Sequence, residues 1–296
     1  MQGVEIGYNR KMARNPGKGV ALILFASFAF ALMGVCVKAI SPIYSTMEVV
    51  WFRALVGLVI FVPWLFLKKI SFRGRHPLFL FLRASSGFLA LLFNFFTIRH
   101  LNLATAVVLN YTSPVFVMLF AIPLLKEKVS WDVVLSFCLS FLGILCLAKP
   151  ALSFQALPFG TGLASGLFAA AAYVTISYLG RFESPMTVVF HFTFWSALFA
   201  TPFTLLHFQM PAGADWVYLL GAGFFASLGQ WGMTKAYFQG EASVISVFST
   251  VTPLISYFLG FLFWQEKLTL LGNLGILLII VGTALLSVRY QKSRGV

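Results

Sequence analysis

The residues best suited to chemistry in this chain are polar ones that interrupt long apolar runs, and three of them are cationic: Arg53, Arg83 and Lys235. An ionisable group at membrane depth costs about 2.5–3.5 kcal/mol on insertion scales, so each is a candidate for function. Arg53 lies about two turns into its run, and its guanidinium matches a carboxylate or phosphate in bidentate geometry. The competing reading is that it snorkels to the nearer surface or pairs with Glu48. Lys235 follows Gln230 and Trp231 along one run, and snorkelling is its alternative too. Arg83 reads as a first-turn residue beside a basic loop. The neutral residues Asn94, Asn110, Tyr111, Tyr173, Thr250 and Tyr257 can hydrogen-bond a cargo or, equally, a neighbouring helix. With Arg53, Gln230, Trp231 and Lys235 they form the expected substrate-binding set. Its aromatic members, joined by Phe95, would box in a flat or cationic group, unless they serve only as packing.

Pro114 and Pro253 each remove a backbone hydrogen bond within a run and are expected to kink it, either as gating hinges or as fixed bends. His191 is the only histidine inside a run, where it could serve in proton coupling or simply donate to a neighbouring helix. All eight acids fall in tails, loops or run ends, which leaves no buried carboxylate as a proton relay. The histidines and cysteines lack metal-ligand spacing, and no Walker A, HExxH or GxSxG pattern is present. The chain is therefore not expected to be an enzyme, to hold a metal or to use a cofactor. The stretch GLASG at 162–166 reads as a small-xxx-small packing surface.

These residues sit in a sequence of 296 amino acids that is 60% hydrophobic and 10% charged, far from a water-facing domain. About 20 apolar residues cross a bilayer. Ten spans fit, near 19–38, 47–67, 78–98, 105–125, 131–148, 160–179, 186–206, 216–237, 243–264 and 268–288. With the N-terminus inside, fourteen Lys and Arg fall in inner segments and four in outer ones. That asymmetry predicts that both termini are cytoplasmic. The net charge of +13 is then a topology signal, and a nucleic-acid partner is not implied. Cys36, Cys138 and Cys146 lie inside apolar segments and behave as small hydrophobes.

A repeat is visible at an offset of 139 residues: NYTSPVFVMLFAIPLLKEKVS at 110–130 aligns without gaps on STVTPLISYFLGFLFWQEKLT at 249–269. Pro114 meets Pro253, Glu127 meets Glu266, and Gly143 meets Gly282. Five spans per copy is an odd number, so the copies enter the membrane from opposite sides, a recurrent design of secondary transporters. The expected organisation is a tail at 1–18, five-helix repeats at 19–150 and 160–289, and a tail at 290–296.

The mid-span Ser113-Pro114 and Thr252-Pro253, each followed by an apolar stretch and then Glu127-Lys128 or Glu266-Lys267, resemble the EamA branch of the drug/metabolite transporter superfamily. The resemblance implies an all-α integral membrane fold of ten helices in two inverted five-helix repeats. It also implies a cavity lined by spans 1, 3, 4, 6, 8 and 9, with spans 5 and 10 as scaffold or dimer contact. The expected function is a secondary transporter moving a small organic metabolite, an amino acid or a derivative, by alternating access. S-adenosylmethionine or a nucleotide-like cargo is the alternative, and a non-transporting membrane enzyme or assembly partner the second. The expected setting is a bacterial cytoplasmic membrane, with the bilayer and a small molecule as partners and a monomer or homodimer as assembly.

Overall fold

The computed structural model describes residues 15–40, 44–101, 103–148, 156–206, 208–265 and 269–292, and every regular element among them is helical. The twelve helices are α1 (Pro16–Ala39), α2 (Thr46–Leu67), α3 (Pro77–His100), α4 (Leu103–Asn110), α5 (Ser113–Leu125), α6 (Trp131–Ala148), α7 (Ala156–Leu179), α8 (Pro185–Leu206), α9 (Asp215–Gln239), α10 (Ala242–Phe248), α11 (Val251–Trp264) and α12 (Leu270–Lys292). Two expected spans are each broken in two, α4 with α5 and α10 with α11, so twelve helices make ten crossings. Nine segments among the described residues are long and apolar enough to cross a bilayer. The tenth, α9, has 25 residues, about 37 Å of rise, but Asp215, Gln230 and Lys235 dilute its hydropathy.

The repeat seen in the sequence is a repeat of helix boundaries. Helix α8 begins and ends 139 residues after α2, and an internal proline recurs at the same step, Pro63 and Pro202. The ends of α5 and α11 match in finer detail. Lys126 and Gln265, again 139 apart, both adopt the left-handed conformation at φ 58° and 52° and turn their backbone N–H to Ala121 and Gly260. Packing obeys a two-fold rule between repeats: α1 lies on α9 as α3 lies on α7, while α2 pairs with α8 and α6 with α12. The α6–α12 seam is backbone-close, because a Cβ on Gly143 would stand 2.6 Å from the Gly275 carbonyl oxygen.

The largest apolar cluster lies at the end of the bundle where α1 begins. Ile23 of α1, Leu80 of α3, Leu125 of α5, Leu179 of α7, Phe238 of α9 and Val244 of α10 all belong to it. At the opposite end the clusters among the described residues are smaller, such as Val108, Ile144 and Ile279. Among the described residues, apolar packing thus seals the end where α1 begins.

One expectation about acids is overturned. Glu48, Glu127 and Glu183 are buried, at 0%, 8% and 5% exposure. Each is at a span end or in a loop, as read, yet is covered because it accepts hydrogen bonds from backbone N–H groups of the other repeat. Glu127 takes Ala242 N at 2.7 Å and Ser243 N at 3.1 Å, capping α10. Glu48 takes Gln209 N at 2.5 Å, besides forming a capping box with Ser45. Glu183 takes Arg75 N and His76 N at 2.5 and 2.7 Å. Outside the membrane spans, burial and then the Asp215 carboxylate, 3.1 Å away, push the Tyr44 phenol up.

Candidate functional site

Above the sealed end lies a cavity of about 290 Å³. Its walls come from α1, α3, α4, α5, α7, α9 and the α10–α11 break, with one side chain each from α2 (Arg53) and α8 (Phe192). The size suits a metabolite, at the lower edge of ligand pockets.

The two broken spans place polar atoms at mid-membrane. Proline removes the N–H that would continue the ladder, and the chain crosses the gap by tighter turns. Thr112 N bonds Leu109 O at 3.2 Å and Val115 N bonds Thr112 O at 3.0 Å, while Thr250 N to Val247 O and Thr252 N to Ser249 O bridge the other break. Backbone of this kind is tolerated at membrane depth where it is buried in protein or lines a cavity. Asn110, Tyr111 and Ser113 from one break face Ser249 and Thr252 from the other. Asn110 is fixed by donating to Ser165 Oγ at 3.1 Å.

Two guanidiniums dominate the electrostatics. Arg83 is only 2% exposed and is held by three neighbours. It donates to Gln230 Oε1 at 3.1 Å and lies over the Phe192 ring at 4.2 Å. Gly87, one turn on, leaves the space it occupies: a Cβ there would collide with the Arg83 head and stand 2.8 Å from Phe192. Arg53 reaches Met33 Sδ at 3.8 Å. Neither guanidinium has a carboxylate partner among the described residues, and no Asp or Glu lines the cavity. Tyr173 and Tyr237, stacked at 5.3 Å and 17°, add an aromatic wall.

The EamA-like transporter family model matches residues 17–149 and 159–288, one match per repeat. The chain belongs to this family. It is 31% identical to the pseudopaline exporter of Pseudomonas aeruginosa, over 90% of this chain and 95% of that one. It is 24% identical to solute carrier family 35 member G1 of Homo sapiens, over 96% and 83% of the two chains. A solved protein crystal structure superposes with a TM-score of 0.81 at 14% identity, covering 93% of this chain and 99% of that one, which speaks for the fold alone. As a member of the EamA-like family the chain is a multi-pass membrane transporter and not an enzyme.

In this EamA-like transporter the cavity brings together Arg53, Asn94, Asn110, Tyr111, Tyr173 and Gln230 from the expected binding set. Four others stand elsewhere. Lys235 points away from the cavity and lies over the Trp231 ring at 4.1 Å, while Trp231 packs edge-on against Phe25 of α1. Thr250 is fully buried and spends its hydroxyl on Val247 O at 2.6 Å. Tyr257 turns to the α11–α12 corner, where its hydroxyl accepts from Thr269 N at 3.1 Å. For Lys235 and Trp231 helical phase carries the side chain past the cavity; Thr250 turns inward at the break, and Tyr257 lies more than a turn beyond it. Pro114 and Pro253 stand beside the breaks, at the start of α5 and of α11. His191 is bound to Phe72 O at 2.8 Å, outside the cavity. GLASG is close packing as read, since Gly162 and Gly166 abut Leu109 and Thr112.

The binding set expected from the sequence leaves out Arg83, Tyr237, Ser27, Ser113, Ser249 and Thr252, which all line the cavity. For Arg83 a signal existed: it sits six residues into α3, beyond a single turn, with a glycine one turn further. The basic loop before it made snorkelling the obvious reading.

Proposed function

We propose that this transporter carries a small organic anion, an amino-acid-derived metabolite with at least one free carboxylate, by alternating access across a bacterial cytoplasmic membrane. The observation that carries the proposal is a metabolite-sized cavity with two guanidiniums and no acid in its walls. A buried cation without a partner costs several kcal/mol, and a bound carboxylate offsets that cost through bidentate hydrogen bonds. S-adenosylmethionine fits less well, because its sulfonium would meet Arg53 and Arg83 without an opposing acid. The sealed end is where α1 begins and α12 ends, and the positive-inside asymmetry favours placing it in the cytoplasm. On that reading the conformation is outward-facing, and the name of the pseudomonad relative favours export as the direction.

The test is counterflow in proteoliposomes with a labelled panel of amino-acid derivatives, S-adenosylmethionine and nucleotides. Saturable exchange of an anionic amino-acid derivative is expected. Flux confined to cationic compounds would overturn the reading.

A further inference from the structure

Beside the main cavity, between α2, α8 and α9, lies a second space of about 20 Å³. That exceeds the roughly 10–15 Å³ one water-sized particle needs. The two spaces share Arg53, Phe192 and Gln230, and the smaller is completed by Ala54, Thr193, Ser196, Ala226 and Ser227. Helix hydroxyls ordinarily bond the carbonyl one turn back. Thr193 and Ser227 do so, donating to Val189 O and Gly223 O at 2.8 Å each. Ser196 does not: it is 2% exposed and its Oγ has no hydrogen-bond partner. Gln230 has its carbonyl taken by Arg83, which leaves its amide N–H groups as donors. Arg53 brings a full positive charge and no acceptor better than a thioether sulfur.

A buried hydroxyl, an amide and a guanidinium thus converge on one small space with nothing negative in it. We infer that this side pocket is a binding subsite for a single small anion, either a free halide or one carboxylate limb of the cargo. The guanidinium supplies the charge, and Ser196 and Gln230 supply directed donors. The small volume limits the occupant to a single small group, a halide or one carboxylate being the most compact anions. The inference builds on the anion reading of the cavity but does not depend on which metabolite is carried.

It is tested without transport. The purified full-length chain is melted in detergent, followed by tryptophan fluorescence, while chloride, bromide or acetate replaces the bulkier sulfonate isethionate at constant ionic strength. A saturable rise in Tm is expected, since a ligand that binds only the folded state stabilises it by mass action. Ser196→Ala should shift the half-saturating concentration at least tenfold upward, and Arg53→Gln should abolish the effect. Ser196→Asp, which carries its own carboxylate into the pocket, should melt higher in isethionate and lose its response to added anion. A response to chloride and bromide alone assigns a free inorganic ion, and a response to acetate alone assigns the cargo's limb. No saturable anion effect in the unmodified chain, or an effect undiminished in both Ser196→Ala and Arg53→Gln, overturns the inference. Counterflow can succeed or fail independently of either result, so the two readings fail separately.

Discussion

At the scale of single residues, Arg83 and Lys235 exchange the weight a sequence assigns them. Both are cations near the same end of the bundle, but Arg83 is enclosed by Gln230, Phe192 and the notch at Gly87, whereas Lys235 lies on its own helix's Trp231. Arg83→Gln is therefore expected to weaken anionic cargo at least tenfold, about 1.4 kcal/mol, in counterflow titrations. Lys235→Ala should stay within about twofold, roughly 0.4 kcal/mol by the same conversion. A subtler probe is Gly87→Ala, whose methyl would push the guanidinium off Phe192. Its cost to folding is that of an overpacked site, about 1–3 kcal/mol, while cargo affinity should fall as far as in Arg83→Gln. Retained affinity in Gly87→Ala would mean that the Arg83 position has slack. What the sequence could tell at this scale was residue type and depth. It could not tell azimuth, because α9 carries Trp231 and Lys235 past the cavity by one or two steps of 100° from Gln230 and Met233.

At the scale of elements, the two prolines were legible and their consequence was larger than a kink. Pro114 and Pro253 stand at the first turn of a new helix, so each span is two rods joined by a short polar turn. Replacing both prolines by alanine should let the ladders close across the gap. The expected signature is slower counterflow with unchanged half-saturation, and an unchanged rate would make the breaks fixed scaffolding. The Glu-Lys pair at the end of span 4 was legible as a motif but not as a device. Its Glu127 caps α10 from 115 residues away, and no local pattern announces a contact at that separation. Glu127→Ala should lower stability by about 1–3 kcal/mol, the worth of a helix cap made by a charged acceptor. A melting curve of the purified protein reads it directly. The partner motif at Glu266 lies outside the described residues.

At the scale of the whole molecule, the number of spans and the inverted repeat followed from hydropathy, an odd count and a constant offset. Chain physics makes these plain: a bilayer demands about 20 apolar residues per crossing whatever their neighbours. The pairing of α1 with α9, α2 with α8 and α6 with α12 was not legible, since it depends on which small and large side chains mesh across the interface. It carries a mechanical corollary. The first turn of α2 and the loop before α8 each hold an acid that grips the segment after the other helix, Glu48 on Gln209 at one face and Glu183 on Arg75 and His76 at the opposite face. A joint pinned at both ends cannot part at either, but it can twist. Spin labels on α2 and α8 should therefore keep their separation when cargo is added, while labels on α5 and α11 change theirs. The α2–α8 pair is then an axle about which the two halves turn, and anything lodged beside Arg53 rides on the axle through the whole stroke.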